Sequence, residues 1–214
     1  MDFEQAILLY SFFTYFYLEG IIIFIIRGVE FFTLATVIIL YINLDILIKI
    51  IFNEGNMSIE VLKKKFMNMI FSIYMSLLIS VVYFPLPIAW GDYIVHKKPN
   101  IHIIPWESTI EIYKKHGLGV VIENIGGNLI LLTPLIFFIC YYFKKLRFNI
   151  KNILLISVFI SLFIECSQVT ISTIIPNYIR TFDTMDLICN SISGLIGYML
   201  YKLYTKIIIN IIEV

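Results

Sequence analysis

Eight polar residues interrupt long apolar stretches in the C-terminal half of this 214-residue chain. They are Asn124, Asn128, Glu165, Gln168, Arg180, Asp183, Asp186 and Asn190. Carboxylates act as general acids and bases or bind hard cations, and arginine binds phosphate or carboxylate groups through paired hydrogen bonds. A charged side chain inside hydrocarbon costs about 2.5 kcal/mol or more, so each one needs a partner or a water-filled cavity. The set is therefore a candidate ligand-binding or catalytic site. The alternative is that these groups only hold neighbouring helices together.

The spacing of these residues places them on single helix faces. Glu165 and Gln168 are three residues apart, which brings both to the same side of a helix. A second stripe follows spacings of three, four, four and three through Asp183, Asp186, Asn190, Gly194 and Gly197. The glycines Gly194, Gly197 and, on an earlier segment, Gly127 are small enough to let another helix pack closely.

The composition excludes a soluble globular enzyme and a nucleic-acid-binding protein. Hydrophobic residues make up 60% of the chain and charged residues 14%, whereas a soluble domain is about half apolar and about a quarter charged. Too little polar surface remains to cover the molecule in water, so membrane lipids must be its solvent. The net charge of +1 provides no basic field for nucleic acid.

Six apolar runs have the length that a membrane-spanning helix requires, roughly 20 residues. They cover residues 7–26, 31–52, 66–84, 119–143, 152–171 and 187–204. Isoleucine is β-branched and favours strands, but runs of this length lack the period-two alternation of a barrel, so we predict helices. The expected fold is all-α, a polytopic transmembrane helical bundle. We divide it into an N-terminal transmembrane hairpin at 1–65 and a transmembrane domain at 66–214.

Basic residues in the short loops predict the orientation, because cytoplasmic loops are rich in lysine and arginine. Such residues concentrate in segments 53–65 and 144–151 and near the C-terminal end, whereas those of 97–115 share their segment with acids. We therefore expect a multi-pass protein of the cell membrane with both termini in the cytoplasm; the inverted arrangement is the alternative. In this orientation the eight polar residues lie close to the outer membrane surface.

The longest predicted loop, 85–118, contains the sequence NIHIIPW at residues 100–106. Two interpretations remain open: an interfacial segment anchored by its tryptophans, or a re-entrant flap that covers the polar residues. The three histidines, His96, His102 and His116, share this loop at spacings that match no usual metal-ligand pattern. We predict no metal site and no cofactor.

Four ordered motifs resemble those of the VanZ-like family of bacterial membrane proteins. The resemblance covers about half the chain, residues 98–204. Residues 100–106 are similar to the family's N-(L/I)-x-P-F segment, with Trp106 where phenylalanine is usual, and residues 124–134 to its N-x-x-G-N block with a later proline. Glu165 and Gln168 correspond to E-x-x-Q, and 180–197 matches R-x-x-D-x-x-D-x-x-x-N-x-x-G-x-x-G with every spacing intact. His102 and Ile179 depart from the common pattern.

The resemblance implies an integral membrane protein of the bacterial envelope, with a link to teicoplanin or related glycopeptide susceptibility. The first expectation is a protein that binds a lipid-linked cell-wall precursor or glycopeptide-type ligand at the outer leaflet, without catalysis. There Arg180 would meet a phosphate or carboxylate and the amides would orient polar head atoms. The alternative is an intramembrane enzyme acting on a lipid phosphate or prenyl carrier, with Asp183, Asp186 and Glu165 as metal ligands or acid and base. A transporter is a third class, but the chain shows no internal repeat.

Overall fold

The computed structural model describes residues 13–18, 21–26, 28–44, 48, 59–90, 98–146 and 148–212. Most of these residues are helical, which confirms the all-α class. The chain forms two compact units, one of Met1–His96 with Ile175–Tyr178 and one of Lys97–Ile174 with Ile179–Val214. The division at residue 65 expected from the sequence stays a prediction.

Part of the first predicted span is not helical. Strands β1 (Phe13–Leu18) and β2 (Ile21–Ile26) pair antiparallel with Leu18 opposite Ile21, and β3 (Leu86–Trp90) pairs with the other edge of β2. The prediction of a helix over 7–26 is therefore wrong for these residues; the rest of that run lies outside the described residues. Both strands consist almost entirely of β-branched, aromatic and leucine side chains, and this local preference prevails once the run is interrupted at 19–20.

The remainder of the first unit consists of helices α1 (Gly28–Ile42) and α2 (Ile59–Tyr83). The second predicted span is helical from Phe31 to Ile42, and residues 45–47 and 49–52 of its range lie outside the described residues. Helix α2 begins earlier than the third predicted span, so Lys63–Lys65 lie on its first turns and not in a loop. The rings of Phe31 and Phe84 stack with centroids 4.7 Å apart.

The second unit contains the predicted polar cluster. Its elements are β4 (Ile101–His102), α3 (Glu107–His116), α4 (Leu118–Leu131), α5 (Thr133–Tyr142), α6 (Ile150–Ile174), β5 (Phe182–Asp183) and α7 (Thr184–Ile212). Contacts between α6 and α7 pair later residues of one helix with earlier residues of the other, so the two run antiparallel. The α4–α5 rod runs parallel to α7, because its contacts advance in the same direction on both.

The break between α4 and α5 lies at Leu132, two residues before Pro134. Proline cannot donate a backbone hydrogen bond within a helix and weakens the turn before it. The hydroxyl of Ser193 accepts the Leu132 N–H at 2.9 Å, and the Thr133 hydroxyl donates to the Ser193 carbonyl at 3.0 Å. Ser193 of α7 therefore provides hydrogen-bond partners for polar groups at this break, in the interior of the unit.

Three helices of the described residues are long and apolar enough to cross a membrane: Glu60–Tyr83, Leu118–Tyr142 and Ile150–Ile174. They correspond to the third, fourth and fifth predicted spans. Helix α7 has 29 residues, which is a sufficient length, but it is not among these three. The predicted number of about six spans is not confirmed.

Candidate functional site

The side chain of Asn128 connects α4 to the first turns of α7. Its Nδ2 donates to Asp186 Oδ1 in a short hydrogen bond and to Asn124 Oδ1 at 3.3 Å. One amide nitrogen carries two hydrogens, so it can serve both acceptors. Asn124 is exposed, and Asn128 and Asp186 are half-buried. These three predicted site residues therefore form one hydrogen-bonded row that reaches from the surface into the unit.

Glu165 is the most deeply placed carboxylate among the described residues, with 2% of its surface exposed. Its carboxylate accepts a hydrogen bond from the backbone N–H of Asp183, which lies 3.1 Å from Glu165 Oε2. The backbone at the entry of α7 thus provides the hydrogen-bond donor for a carboxylate in the second half of α6.

Asp183 caps the N-terminus of α7. Its Oδ1 accepts the N–H of Met185 at 2.8 Å, and it is 6% exposed. This contact is the N-cap interaction, in which a side-chain oxygen satisfies a free N–H in the first turn of a helix.

Arg180 supplies the positive charge of the cluster. The Ser172 hydroxyl accepts the Arg180 N–H at 2.9 Å and donates to its carbonyl at 3.4 Å, which fixes the backbone at this point. The guanidinium attracts both Glu165 and Asp186, while the carboxylates of the cluster repel one another. Gln168 is half-buried on α6, three residues after Glu165.

A second polar layer lies one helical turn further inside. Asn190 Nδ2 donates to Ser161 Oγ at 3.1 Å, and the two residues are 1% and 0% exposed. Asn190 follows Asp186 by four residues, and Ser161 precedes Glu165 by four. The Oδ1 atom of Asn190 has no hydrogen-bond partner within the described part of the chain. Ser161 was missed at the sequence level, because serine is common in helix contacts of membrane proteins and carries no specific signal.

The segment before α3 lies against the entry of α7. Strands β4 and β5 pair in parallel, with His102 opposite Asp183. The Phe182 N–H donates to the Asn100 carbonyl at 3.0 Å, and the Thr184 hydroxyl donates to the His102 carbonyl at 3.1 Å. The predicted loop at 85–118 therefore contains two strands, β3 and β4, and the helix α3. Its NIHIIPW segment contacts the residue that caps α7.

A small cleft of about 10 Å³ lies beneath α3, enough for about one water molecule. Its wall consists of Ser108, Thr109, Ile112, Val121, Asn124, Ile125, Asp183, Met185 and Asp186. The polar atoms of this wall are hydroxyls, carboxylates and one amide. Ser108 and Thr109 were not predicted, although they follow directly on the segment that the sequence singled out.

The glycines differ in what they do. A Cβ on Gly194 would overlap the side chain of Ser157, and one on Gly197 would overlap the backbone carbonyl of Thr133. Both therefore permit close packing against α7. Among the described residues, a Cβ on Gly127 would meet nothing within 4 Å, so its packing role stays a prediction.

Among the residues that the structure describes, no three His, Cys, Asp or Glu side chains come together so that they could hold a metal ion. His102 Nδ1 lies 3.7 Å from Glu107 Oε2. The three free cysteines are dispersed, with Cys140 and Cys189 buried and Cys166 exposed.

The helices and the cluster together define a class of protein. Three helices of membrane-crossing length, and a polar cluster assembled between helices of one unit, describe an integral membrane protein with an internal polar site. The VanZ/LLP1 family model matches residues 71–206, which is more than half of the chain, and the chain belongs to this family. No curated protein and no solved structure matches it.

Proposed function

We propose that the polar cluster binds the polar head of a lipid-linked or glycopeptide-type amphiphile at the membrane surface. The observation that carries this proposal is the row from Asn124 through Asn128 to Asp186, which opens on the cleft beneath α3. Carboxylate oxygens and hydroxyls dominate the polar part of the cleft wall, so it favours a head that donates hydrogen bonds, such as sugar hydroxyls or amines. Arg180, beside the carboxylates, would meet an anionic group of the same ligand.

In this proposal the protein affects susceptibility to glycopeptides such as teicoplanin by sequestering a ligand of the envelope. The family membership supports a location in the bacterial envelope, and the resemblance in the sequence implies the link to glycopeptide susceptibility. The alternative is an enzyme acting on a lipid phosphate or prenyl carrier, and it is favoured by one observation. Glu165 and Asp186 come from adjacent helices and act on each other electrostatically, as an acid and a base at one site would.

The test compares Asp186→Asn with the wild type after purification in mild detergent. The substituted side chain keeps an amide oxygen that can accept the Asn128 hydrogen bond, so the fold should persist while the charge is lost. We expect co-purifying amphiphile, identified and quantified by mass spectrometry, to fall about tenfold, as the loss of a charge-assisted hydrogen bond predicts. Glu123→Gln, a matched change at an exposed carboxylate on α4, should retain it.

Equal amounts of amphiphile in wild type and Asp186→Asn would contradict the binding proposal. Chemical conversion of the retained lipid by the wild type, lost in Asp186→Asn, would favour the enzyme. Expression in a teicoplanin-sensitive host then decides whether the same variant also abolishes an effect on susceptibility.

We further propose a multi-pass arrangement with both termini in the cytoplasm, which places the cluster at the outer leaflet. Single cysteines, introduced after Cys166→Ser removes the exposed native thiol, test it. Membrane-impermeant maleimide should label positions near residues 97 and 176 in intact cells, and positions near 64 and 145 only after permeabilisation. The reverse labelling would move the cluster to the cytoplasmic leaflet.

A further inference from the structure

An open groove of about 580 Å³ lies at the end of the second unit opposite the polar cluster. It is lined by Phe148, Asn149, Ile150, Lys151, Tyr198 and Lys202. These residues come from the start of α6 and from the part of α7 that packs beside it. None of them belongs to the site described above.

Contacts among the residues that line the groove hold its wall in place. The Tyr198 hydroxyl donates to the Phe148 carbonyl at 2.6 Å, and Lys202 Nζ lies 4.9 Å from the centroid of the Tyr198 ring. Asn149 Oδ1 accepts the Asn152 N–H at 2.8 Å and so caps α6. Lys202 is thus positioned over an aromatic ring while its side chain stays exposed.

The charge around the groove has one sign. Lys151 and Lys202 lie in its wall, Lys144 and Lys145 precede it on the connection from α5, and Lys206 follows one turn after Lys202. The acids among the described residues of this unit lie on α3, in the first half of α4, late in α6 and at the entry of α7, which is the other end. The positive end of the α6 dipole adds to the same field.

Apolar surface continues from the groove along the outside of α6. Leu155 and Phe159 follow Lys151 at spacings of four residues, so they lie on its side of α6, and they are 69% and 71% exposed on this helix of membrane-crossing length. A molecule held here would therefore have its charged part beside the lysines and its hydrocarbon part along α6. Those are the two parts of a phospholipid.

We propose that this groove binds the phosphate headgroup of an anionic phospholipid from the leaflet at this end of the unit. Lys151 and Lys202 contact the phosphate, and the apolar face that continues from Lys151 through Leu155 and Phe159 contacts an acyl chain. The proposal concerns a second site and does not depend on the function assigned to the polar cluster. The proposal also holds for either orientation of the protein. The groove and the polar cluster lie at opposite ends of the unit, so inverting the protein only exchanges the leaflets that they face.

Native mass spectrometry of the purified full chain tests it, with phosphatidylglycerol and phosphatidylcholine as probes. The wild type should retain phosphatidylglycerol in preference to phosphatidylcholine. In Lys151→Gln with Lys202→Gln we expect the affinity for phosphatidylglycerol to fall at least about tenfold, since each lysine near anionic lipid contributes substantially. Lys151→Arg with Lys202→Arg should preserve binding, because the charges are kept.

The matched control is Lys114→Gln with Lys115→Gln, two exposed lysines of α3 at the opposite end. This variant should bind phosphatidylglycerol as the wild type does. Excess inorganic phosphate should leave the lipid bound, since free phosphate lacks the acyl-chain contact. Unchanged binding in the glutamine variant of the groove, equal loss in the control, equal retention of phosphatidylcholine, or displacement by inorganic phosphate would each overturn the proposal.

Discussion

Gly197→Ala is expected to lower the thermal unfolding midpoint of the detergent-solubilised protein by several degrees. The new methyl group would overlap the backbone carbonyl of Thr133, and that atom can move only if α4 or α5 moves with it. Overpacking of this kind costs about 1–3 kcal/mol, and about 1 kcal/mol corresponds to roughly 2–4 °C in a chain of this size. The greater helix preference of alanine, up to about 1 kcal/mol, acts in the opposite direction and is smaller.

The chain offers two kinds of control for this experiment. Gly194→Ala should cost less, because its nearest neighbour is the Ser157 side chain, which can rotate, rather than backbone. Gly126→Ala and Gly127→Ala meet nothing within 4 Å and should be neutral or stabilising. If Gly197→Ala were as stable as Gly127→Ala, the close approach of α7 to Thr133 would be wrong.

Glu165→Ala should destabilise the protein by about 1–3 kcal/mol in free energy of unfolding, whereas Glu165→Gln should cost much less. The alanine variant leaves the buried N–H of Asp183 without its acceptor, and that cost is close to the full desolvation of the group. Glutamine retains an Oε atom that can accept the same hydrogen bond. Thermal unfolding of both variants, monitored by size-exclusion chromatography after heating, measures the difference.

Glu123→Ala provides the comparison for Glu165→Ala. It removes a carboxylate from a helix of the same unit, but this side chain is exposed, so little change is expected. Equal stability of Glu165→Ala and Glu165→Gln would show that the hydrogen bond to Asp183 contributes nothing.

The arrangement of the polar cluster followed largely from sequence spacing. Asn128 meets Asp186, and Glu165 meets the entry of α7, because residues on one face of each helix must turn away from lipid and towards one another. The identity of individual partners did not follow. The donor to Glu165 is a backbone N–H, which every residue except proline carries, so no residue type in the sequence indicates it. That these residues bind a ligand stays a prediction.

One local expectation failed, and another stays a prediction. The helix expected over 7–26 ignored the β preference of the two segments on either side of residues 19–20, which pair as strands. Gly127 was read as a packing residue from its size alone. Whether a small residue is packed against depends on where the next helix lies, and spacing along one helix does not contain that information.

The short parallel pairing of β4 with β5 sets how readily the cleft can admit a ligand. The closed cleft holds about one water molecule, so a headgroup enters only when the segment before α3 separates from the entry of α7. The hydrogen bonds that join them include Phe182 to Asn100 and Thr184 to His102. At about 1 kcal/mol each, breaking these two alone costs about 2 kcal/mol, so the open population is at most roughly 3% at room temperature. A ligand that selects this minor population binds at least about thirtyfold more weakly than it would to a permanently open cleft. The closure therefore favours amphiphiles whose affinity for the open cleft is high enough to offset this loss.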